Sequence, residues 1–305
     1  MPHKKEVWPV MLTPYTDGGA VDYNGLQKLI EWYEENGVSG LFAVCQSSEM
    51  FYLSLRERVE IASFAKRHAK VPVIASGHIS SDKTDQIDEV RRIADAGVDA
   101  VVLISNRFAP DREGAKVWTE NLQALMDAVD PSVPLGLYEC PMPYKRLIEE
   151  DELRFCAQSG RFFFMKDTCC DLKMLRRRAE ILRGTKMRLY NANTATLLDS
   201  VIAGCAGFSG IMANFHPDLY VWLMDNYEKY PAEAKKLQAL LTVCALIEGQ
   251  KYPTNAKYHL SALKHLPITT YARSRARAEM LEVHKDEVRQ MEDIISLARE
   301  MLPID

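Results

Sequence analysis

A lysine at the end of a strongly apolar run is the most reactive candidate in this sequence. Lys166 directly follows Phe162–Met165 and precedes Asp167. Burial beside such a run disfavours the ammonium form, lowers the pKa of the amine and leaves a nucleophile able to condense with a carbonyl group. The alternative interpretation is a lysine that extends to the rim of the protein or pairs with Asp167. Position alone therefore leaves a covalent role for Lys166 open.

Hydroxyl groups follow two other apolar runs in the same manner. Tyr138 ends the run Val133–Leu137, and its phenol could relay a proton to a substrate, although packing alone also explains a tyrosine there. Ser47 and Ser48 follow a second run, where hydroxyl and backbone N–H groups can hold a carboxylate. A simple helix cap is the alternative for either serine.

Two carboxylates, Glu49 and Glu139, are predicted near the same strand ends. A close pair of this kind suits acid–base catalysis, whereas solvated loop acids are the simpler interpretation. His78 and His216 fall in loops, but no His-x-x-x-His or carboxylate spacing accompanies them. The sequence therefore predicts no metal site, and no cofactor is expected.

Amphipathic helical patterns alternate with short apolar runs over most of the chain. Gly37, Gly97 and Gly204 each stand where a helix would end, and each precedes a run suited to a strand buried on both faces. The alternation predicts roughly eight strands, which fits a TIM (β/α)8 barrel better than an open doubly wound sheet. In such a barrel, functional side chains project from the carboxyl ends of the strands, where the candidates above are predicted to lie.

The strand pattern stops near Tyr230. Residues 231–248, 254–264 and 273–301 instead have the composition and spacing of helices rich in Ala, Leu, Lys and Glu. We therefore expect a barrel that carries the active site over residues 1–228 and a C-terminal helical extension over residues 229–305.

Composition and charge favour small-molecule chemistry. The formal net charge of -4 and the pI near 6.0 leave no basic stripe, which argues against nucleic acid or an anionic membrane as partner. No apolar segment has the length of a signal peptide, so a cytoplasmic location is expected. The seven cysteines lack a Cys-x-x-Cys spacing and suit reduced thiols in that compartment.

Read together, four motifs resemble the dihydrodipicolinate synthase / N-acetylneuraminate lyase family of class I, Schiff-base aldolases. Leu12–Tyr15 resembles the family's opening Thr-Pro-Phe segment, and Cys45–Glu49 is similar to its Gly-Thr/Ser-Thr-Gly-Glu loop. Tyr138–Pro141 is similar to the Tyr-Asn-x-Pro motif, and Met165–Thr168 to the segment that holds the Schiff-base lysine. The four motifs occur in the family's order, which is more specific than any one of them.

The resemblance implies a role for each matched position. Lys166 would form an imine with pyruvate or a related 2-oxo acid, Tyr138 would shuttle protons, and Ser47 would bind the substrate carboxylate. It also implies a homotetramer assembled as a dimer of dimers. The further substrate contacts expected from the same strand ends and loops are Gln46, Ser48, Glu139, Asn191, Ser209 and Arg107.

The sequence also departs from the family pattern. In the loop after the second strand, Gln46 replaces the first hydroxyl and Ser48 replaces a glycine. Ser105–Ala109, after the fourth strand, lacks the tyrosine that the synthases extend across a subunit interface. Pro143 stands where the synthases hold the second substrate with an arginine, although Lys145 and Arg146 lie nearby. Asn191–Asn193 lacks the acidic residues with which the sialic-acid lyases hold sugar hydroxyls.

These departures predict a class I lyase or aldolase that acts through Lys166 and is neither a true dihydrodipicolinate synthase nor a sialic-acid lyase. The second substrate is left open. Two alternatives also stay open, namely a non-catalytic barrel that binds a small acid and an imine-dependent dehydratase or decarboxylase of a 2-oxo sugar acid.

Overall fold

The computed structural model describes residues 4–110, 113–275 and 280–303 of the chain. Eight parallel strands form one sheet in the order β1-β8-β7-β6-β5-β4-β3-β2, and a bridge between Val10 and Phe42 joins its two ends. The predicted TIM barrel is therefore confirmed. The strands are β1 Glu6–Val7, β2 Leu41–Val44, β3 Val73–Ser76, β4 Ala100–Ile104, β5 Leu135–Tyr138, β6 Phe162–Asp167, β7 Arg188–Asn191 and β8 Gly207–Phe208.

Helices cover the outside of the barrel, which explains why the strands are buried on both faces. No described helix is long and apolar enough to cross a membrane. The barrel helices are α1 Tyr23–Glu35, α2 Leu55–His68, α3 Lys83–Asp95, α4 Ala115–Ala128, α5 Glu150–Gln158, α6 Leu172–Leu182, α7 Leu197–Ile202 and α8 Pro217–Asn226.

The C-terminal helical segments differ in detail from the sequence prediction. Helix α9, Pro231–Cys244, continues as a 3-10 turn over Ala245–Gly249, and α10, Thr254–Tyr258, continues as a π-helix over His259–Leu263. The last predicted helix is shorter, since α11 is Glu282–Glu300, and part of the predicted range lies outside the described residues. The division at residue 228 stays a prediction.

Aromatic side chains fill the barrel below its carboxyl end. Phe42 on β2 contacts Phe164 on β6 and Tyr138 on β5, with ring centroids 5.9 and 5.7 Å away. Strands β2 and β6 are not neighbours in the sheet, so these rings meet inside the barrel. They form an apolar floor under the strand ends.

The seam between β1 and β8 depends on a residue without a side chain. Only Glu6–Val7 and Gly207–Phe208 pair there. Gly207 has a φ of 152°, and a Cβ atom at this position would lie 1.8 Å from the carbonyl oxygen of Glu6. Glycine therefore allows the first and last strands to approach closely enough to bond.

Candidate active site

A cavity of about 610 Å³ opens at the carboxyl end of the barrel. Its walls come from five strand ends and from the C-terminal extension. The lining residues are Gln46, Ser47, Glu49, Tyr52, Tyr138, Pro141, Met142, Lys145, Lys166, Thr168, Cys170, Ala192, Asn193, Gly210, Ile211, Glu248, Tyr252, Pro253 and Ser274.

Lys166 lies within β6 and points into this cavity. Side chains alternate between the two faces of a strand, so Lys166 shares the inner face with Phe164, while Asp167 points outward. The register pairs Tyr138 with Lys166, which brings both side chains to the same face of neighbouring strands. The amine nitrogen lies 4.6 Å from the centroid of the Tyr138 ring.

The environment of the Lys166 amine favours its neutral form. The side chain is only 5% exposed, and the amine makes no hydrogen bond or ion pair with any described residue. Burial lowers the pKa of Lys166, an effect that the charges of Cys45, Cys140 and Glu248 oppose. The amine is therefore available as a nucleophile over a wider pH range than a solvated lysine.

The predicted alternative of a Lys166–Asp167 pair does not hold, because Asp167 binds an arginine. Asp167 and Glu139 both contact Arg178 on α6, and the Arg178–Glu139 distance is 2.6 Å. Glu139 also accepts hydrogen bonds from the backbone N–H groups of Ile148 at 2.7 Å and Thr168 at 2.9 Å. Burial and the charge of Asp167 raise the pKa of Glu139, and Arg178 lowers it.

Glu139 therefore does not line the cavity, although the sequence suggested a substrate contact there or a solvated loop acid. It follows Tyr138 by one residue, so its side chain points to the opposite side of the barrel wall. The structure gives Glu139 a supporting position, because it holds the backbone of Thr168, which follows the lysine strand.

Tyr138 lies on β5 beside Lys166 in the neighbouring strand. It is 3% exposed and lines the cavity beside Lys166. Burial raises the pKa of its phenol well above 10, and the neighbouring Cys140 and Cys45 thiols act in the same direction. The phenol therefore keeps its proton at neutral pH and acts as a hydrogen-bond donor.

The two serines of the loop after β2 have different surroundings. Ser47 and Gln46 line the cavity, and the Gln46 side-chain oxygen lies 3.6 Å from the Cys140 sulfur, which donates to it. Ser48 is buried behind them, with its hydroxyl 2.7 Å from the carbonyl oxygen of Met11 and 2.8 Å from that of Ala43. Ser48 thus joins the segment after β1 to strand β2 and does not face the cavity.

Three other predicted substrate contacts also lie outside the cavity lining. The Asn191 amide donates to the hydroxyl groups of Thr196 and Ser200 at 2.9 and 3.0 Å, so it ties the end of β7 to the following 3-10 turn and to α7. Ser209 is fully buried. Arg107 borders a separate cavity of about 420 Å³ and lies over the Phe51 ring at 6.0 Å.

The position of Arg107 follows from the 3-10 turn over Ser105–Arg107, which directs the chain toward α3 and α4. Within one chain it does not reach the Lys166 cavity. The cation at the cavity edge is Lys145 instead, while Arg146 is buried in an ion pair with Glu152 at 2.6 Å.

Sequence reasoning missed the part of the site that the C-terminal extension supplies. Glu248, Tyr252, Pro253 and Ser274 all line the cavity, although the predicted active site was confined to residues 1–228. Burial raises the pKa of Glu248 to about 7, and the charge of Lys166 partly opposes this rise. In sequence, Glu248 resembled one of many charged residues on a solvated helix face.

A second buried lysine fastens the extension to the barrel. Lys257 is fully buried, with its amine 3.0 Å from the Glu49 carboxylate and 2.7 Å from the carbonyl oxygen of Tyr271. Ser274 donates to the other Glu49 oxygen from its backbone N–H at 2.7 Å and its hydroxyl at 2.9 Å. The prediction of a solvated Glu49 is therefore wrong. We refer to Glu49, Lys257, Tyr271 and Ser274 as the latch.

Histidine, cysteine and carboxylate side chains are the usual protein ligands of metal ions such as zinc. Among the residues that the structure describes, no group of three or more His, Cys, Asp or Glu side chains is placed to hold a metal ion. His78 and His216 are both fully buried, and burial lowers the pKa of each to about 3. The cavity wall presents the amine, phenol, hydroxyl and carboxyl groups described above.

Sequence and structure comparisons identify relatives of this chain. The 4-hydroxy-tetrahydrodipicolinate synthase of Methanothrix thermoacetophila is 24% identical over 266 residues, which cover 86% of this chain and 88% of that protein. A chloride-inhibited dihydrodipicolinate synthase from Acinetobacter baumannii, solved with pyruvate, superimposes with a TM-score of 0.83 at 20% identity and covers 96% of this chain and 99% of its own.

A catalytic-lysine mutant of the Ruminococcus gnavus sialic acid aldolase superimposes equally well, with a TM-score of 0.84 at 18% identity and 97% coverage of both chains. At these identities the solved structures show a shared fold. The sequence profile of the dihydrodipicolinate synthetase family matches residues 3–298. The resemblance found in the four motifs is therefore confirmed, and the chain belongs to the dihydrodipicolinate synthetase family, whose members are lyases.

Proposed function

We propose that this protein is a class I lyase that forms a Schiff base between Lys166 and pyruvate or a related 2-oxo acid. The observation that carries the proposal is the Lys166 amine, which is buried, has no hydrogen-bond partner among the described residues and faces a cavity. A solved relative with bound pyruvate and another described by its catalytic lysine support the same assignment.

The reaction begins with attack of the neutral amine on the 2-oxo carbon. The carbonyl oxygen gains a proton, the resulting carbinolamine loses water, and the nitrogen retains a positive charge as an iminium ion. Tyr138 is placed to donate a proton to the departing hydroxyl, because its phenol remains protonated at neutral pH. Ser47 is placed to donate a hydrogen bond to the adjacent carboxylate.

The iminium ion makes carbon–carbon chemistry possible. It withdraws electrons from the neighbouring carbon, so that loss of a proton there gives an enamine that can attack an aldehyde. The reverse sequence cleaves the same bond. In both directions the covalent link to Lys166 is broken by water, which restores the amine.

We also propose that the second substrate is neither that of the synthases nor a sialic acid. Pro143 offers no charge for a second carboxylate, and Asn193 stands on the cavity wall without an acidic neighbour in Asn191–Asn193. When the hydrogen-bonding groups of a site change, its preference for the original substrate over other substrates falls several-fold to many-fold. Lys145 and Gln46 offer different contacts at the same rim.

Reductive trapping tests the imine. Incubation with pyruvate and borohydride should add a stable mass to the peptide that contains Lys166. The peptide with Lys257 is an internal control, because this lysine is equally buried but already bound to Glu49. An unmodified Lys166, or modification of Lys257 instead, would contradict the proposal.

Product analysis separates the remaining chemical outcomes. A panel of 2-oxo acids and aldehydes, followed by product identification, should reveal carbon–carbon cleavage or condensation. Loss of water or carbon dioxide without an aldehyde product would indicate the dehydratase or decarboxylase alternative. Tight binding with no turnover of any substrate would indicate the non-catalytic alternative.

We further propose a homotetramer, as the family resemblance implies. Sedimentation at micromolar concentration should give a particle of about four chains. A monomer under these conditions would be evidence against this assembly.

A further inference from the structure

Glu248 differs from the other buried carboxylates of the barrel rim. It lies on the 3-10 turn Ala245–Gly249 that follows α9, and its partly buried side chain lines the Lys166 cavity. It has no ion pair or hydrogen bond to any described residue. Glu49, Glu139 and Glu152, by contrast, each contact a lysine or arginine within 3.0 Å.

An unpaired carboxyl group in a partly buried cavity has an unfavourable effect on folding, because desolvation penalises its charged form. The packing of α9 and the following turn fixes this group opposite the lysine strand instead of in solvent. The electrostatic interaction is mutual, since Lys166 lowers the pKa of Glu248 and Glu248 raises that of Lys166. The two side chains therefore face the same small volume.

The other titratable groups that respond to the Glu248 charge lie on three different parts of the fold. They are Cys170 after β6, Tyr220 on α8 and Tyr252 in the extension, besides Lys166 itself. Burial raises the pKa of the Cys170 thiol above its ordinary value. Burial also raises the pKa of both phenols well above 10. None of these three groups is a base at neutral pH, whereas burial brings the pKa of Glu248 to about 7.

We propose that Glu248 is the acid–base residue that moves the substrate proton once the Lys166 imine has formed. This inference rests on the proposed Schiff-base function. The Glu248 carboxylate takes a proton from the carbon next to the imine, the C–H electron pair becomes the carbon–carbon double bond of the enamine, and the iminium π pair moves to nitrogen. The Glu248 carboxylic acid then returns the proton to the oxygen of the aldehyde as the new carbon–carbon bond forms.

This assignment accounts for a group that the proton relay otherwise lacks. Ser105–Ala109 has no tyrosine to extend a proton relay, and Tyr138 is too weak an acid to provide a phenolate near neutral pH. Glu248 supplies the missing base from the C-terminal extension of the same chain. Proton exchange is then complete within one cavity.

Hydrogen–deuterium exchange at the pyruvate methyl group measures this step without a second substrate. NMR in deuterium oxide should show exchange catalysed by the natural protein and a rate at least about 100-fold lower for Glu248→Gln, the usual size of a general-base contribution. Borohydride trapping at Lys166 should persist in this variant. Glu300→Gln removes an exposed carboxylate of the same extension and should exchange at the natural rate.

The pH profile distinguishes a catalytic role from a structural one. The base form is required, so the exchange rate of the natural protein should rise through pH 7, near the pKa of Glu248. This limb should disappear in Glu248→Gln, while Glu248→Asp should keep it at a reduced rate. Glu248→Gln that traps pyruvate, exchanges within about threefold of the natural rate and keeps the limb would overturn the inference. Failure of the natural protein to trap pyruvate would instead overturn the Schiff-base function.

Discussion

Two buried lysines lie near glutamates at the rim of this barrel, and the two pairs differ in whether the lysine amine bonds to the glutamate. Lys257 is held by Glu49 and by the Tyr271 carbonyl at 3.0 and 2.7 Å. Lys166 faces Glu248 across the cavity without a bond to any described residue. Burial lowers the pKa of both amines, to about 8 for Lys257. Burial alone therefore does not identify a nucleophile.

The difference shows what a buried amine needs in order to react. The Lys257 amine directs its N–H bonds at two fixed acceptors, so its lone pair is unavailable while the ion pair persists. The Lys166 amine has an aromatic ring at one side and open space at the other. The latch lysine stabilises the fold, and the cavity lysine is left free for chemistry.

Replacement of the cavity lysine should have the largest effect. Lys166→Met should lower turnover by about ten-thousand-fold or more, because the proposed imine requires the Lys166 amine. The free energy of unfolding should stay the same or rise, since the variant removes an unpaired buried amine. Steady-state kinetics measures the turnover, and urea unfolding measures the free energy of unfolding. Lost stability with retained turnover in Lys166→Met would contradict the roles that we assign to the two lysines.

Replacement of the latch lysine should have the opposite profile. Lys257→Met leaves the Glu49 carboxylate buried without its cation, which should reduce the free energy of unfolding by about 3–5 kcal/mol. Urea unfolding measures this loss. Borohydride trapping at Lys166 should still occur under conditions where the variant is folded. An unchanged stability would show that Glu49 finds another partner.

A smaller effect is expected from the cavity serine. Ser47→Ala should raise the KM for pyruvate about tenfold, the equivalent of one hydrogen bond to a charged group, with a change in unfolding free energy below about 0.5 kcal/mol. Ser48→Ala is the matched control, since that hydroxyl bonds to Met11 or Ala43 and not to the cavity. Ser48→Ala should lower stability and leave KM close to its natural value.

The smallest effect concerns a partly exposed ion pair beside the latch. Arg273 contacts Glu57 at 2.6 Å and holds the pKa of this carboxyl at about 2, below its ordinary value of 4.5. A depressed pKa stabilises the fold above pH 4.5, and this contribution is lost as the pH falls through 2. Solvent screening limits it to about 1 kcal/mol.

Urea unfolding of the natural protein and Glu57→Gln tests this pair. The stability difference should be larger at about pH 6 than at about pH 2, where about half of the natural Glu57 side chains are protonated. A difference independent of pH would show that the ion pair does not contribute.

The sequence predicted the barrel and its central lysine for reasons that the structure makes clear. Glycines before apolar runs mark helix-to-strand junctions, and the position of Lys166 depends only on local strand alternation. Alternation also explains the failure at Glu139, whereas Ser48 lies in the turn after β2 and directs its hydroxyl toward Met11 and Ala43. Glu139 and Ser48 directly follow Tyr138 and Ser47 in sequence but point away from the cavity. Motif adjacency therefore did not specify which face each residue would use.

Local sequence patterns could not predict contacts between residues that are distant in sequence. Glu248 and Tyr252 reach the cavity only because the extension folds back over the strand ends. The pairing of Lys257 with Glu49 joins residues more than 200 positions apart. A single sequence contains no periodicity that reports such a distance, so charged helix residues there were indistinguishable from solvated ones.

The glycine at the β1–β8 seam has a consequence for how the protein can vary. Any replacement of Gly207 would push a methyl group or more into the Glu6 carbonyl and separate the two ends of the sheet. Gln46, Ser47 and Asn193, in loops at the carboxyl end of the strands, by contrast already carry side chains in the cavity wall. New specificities can therefore be built by exchanging side chains at the rim. Position 207, where the first and last strands close the barrel, accepts only glycine.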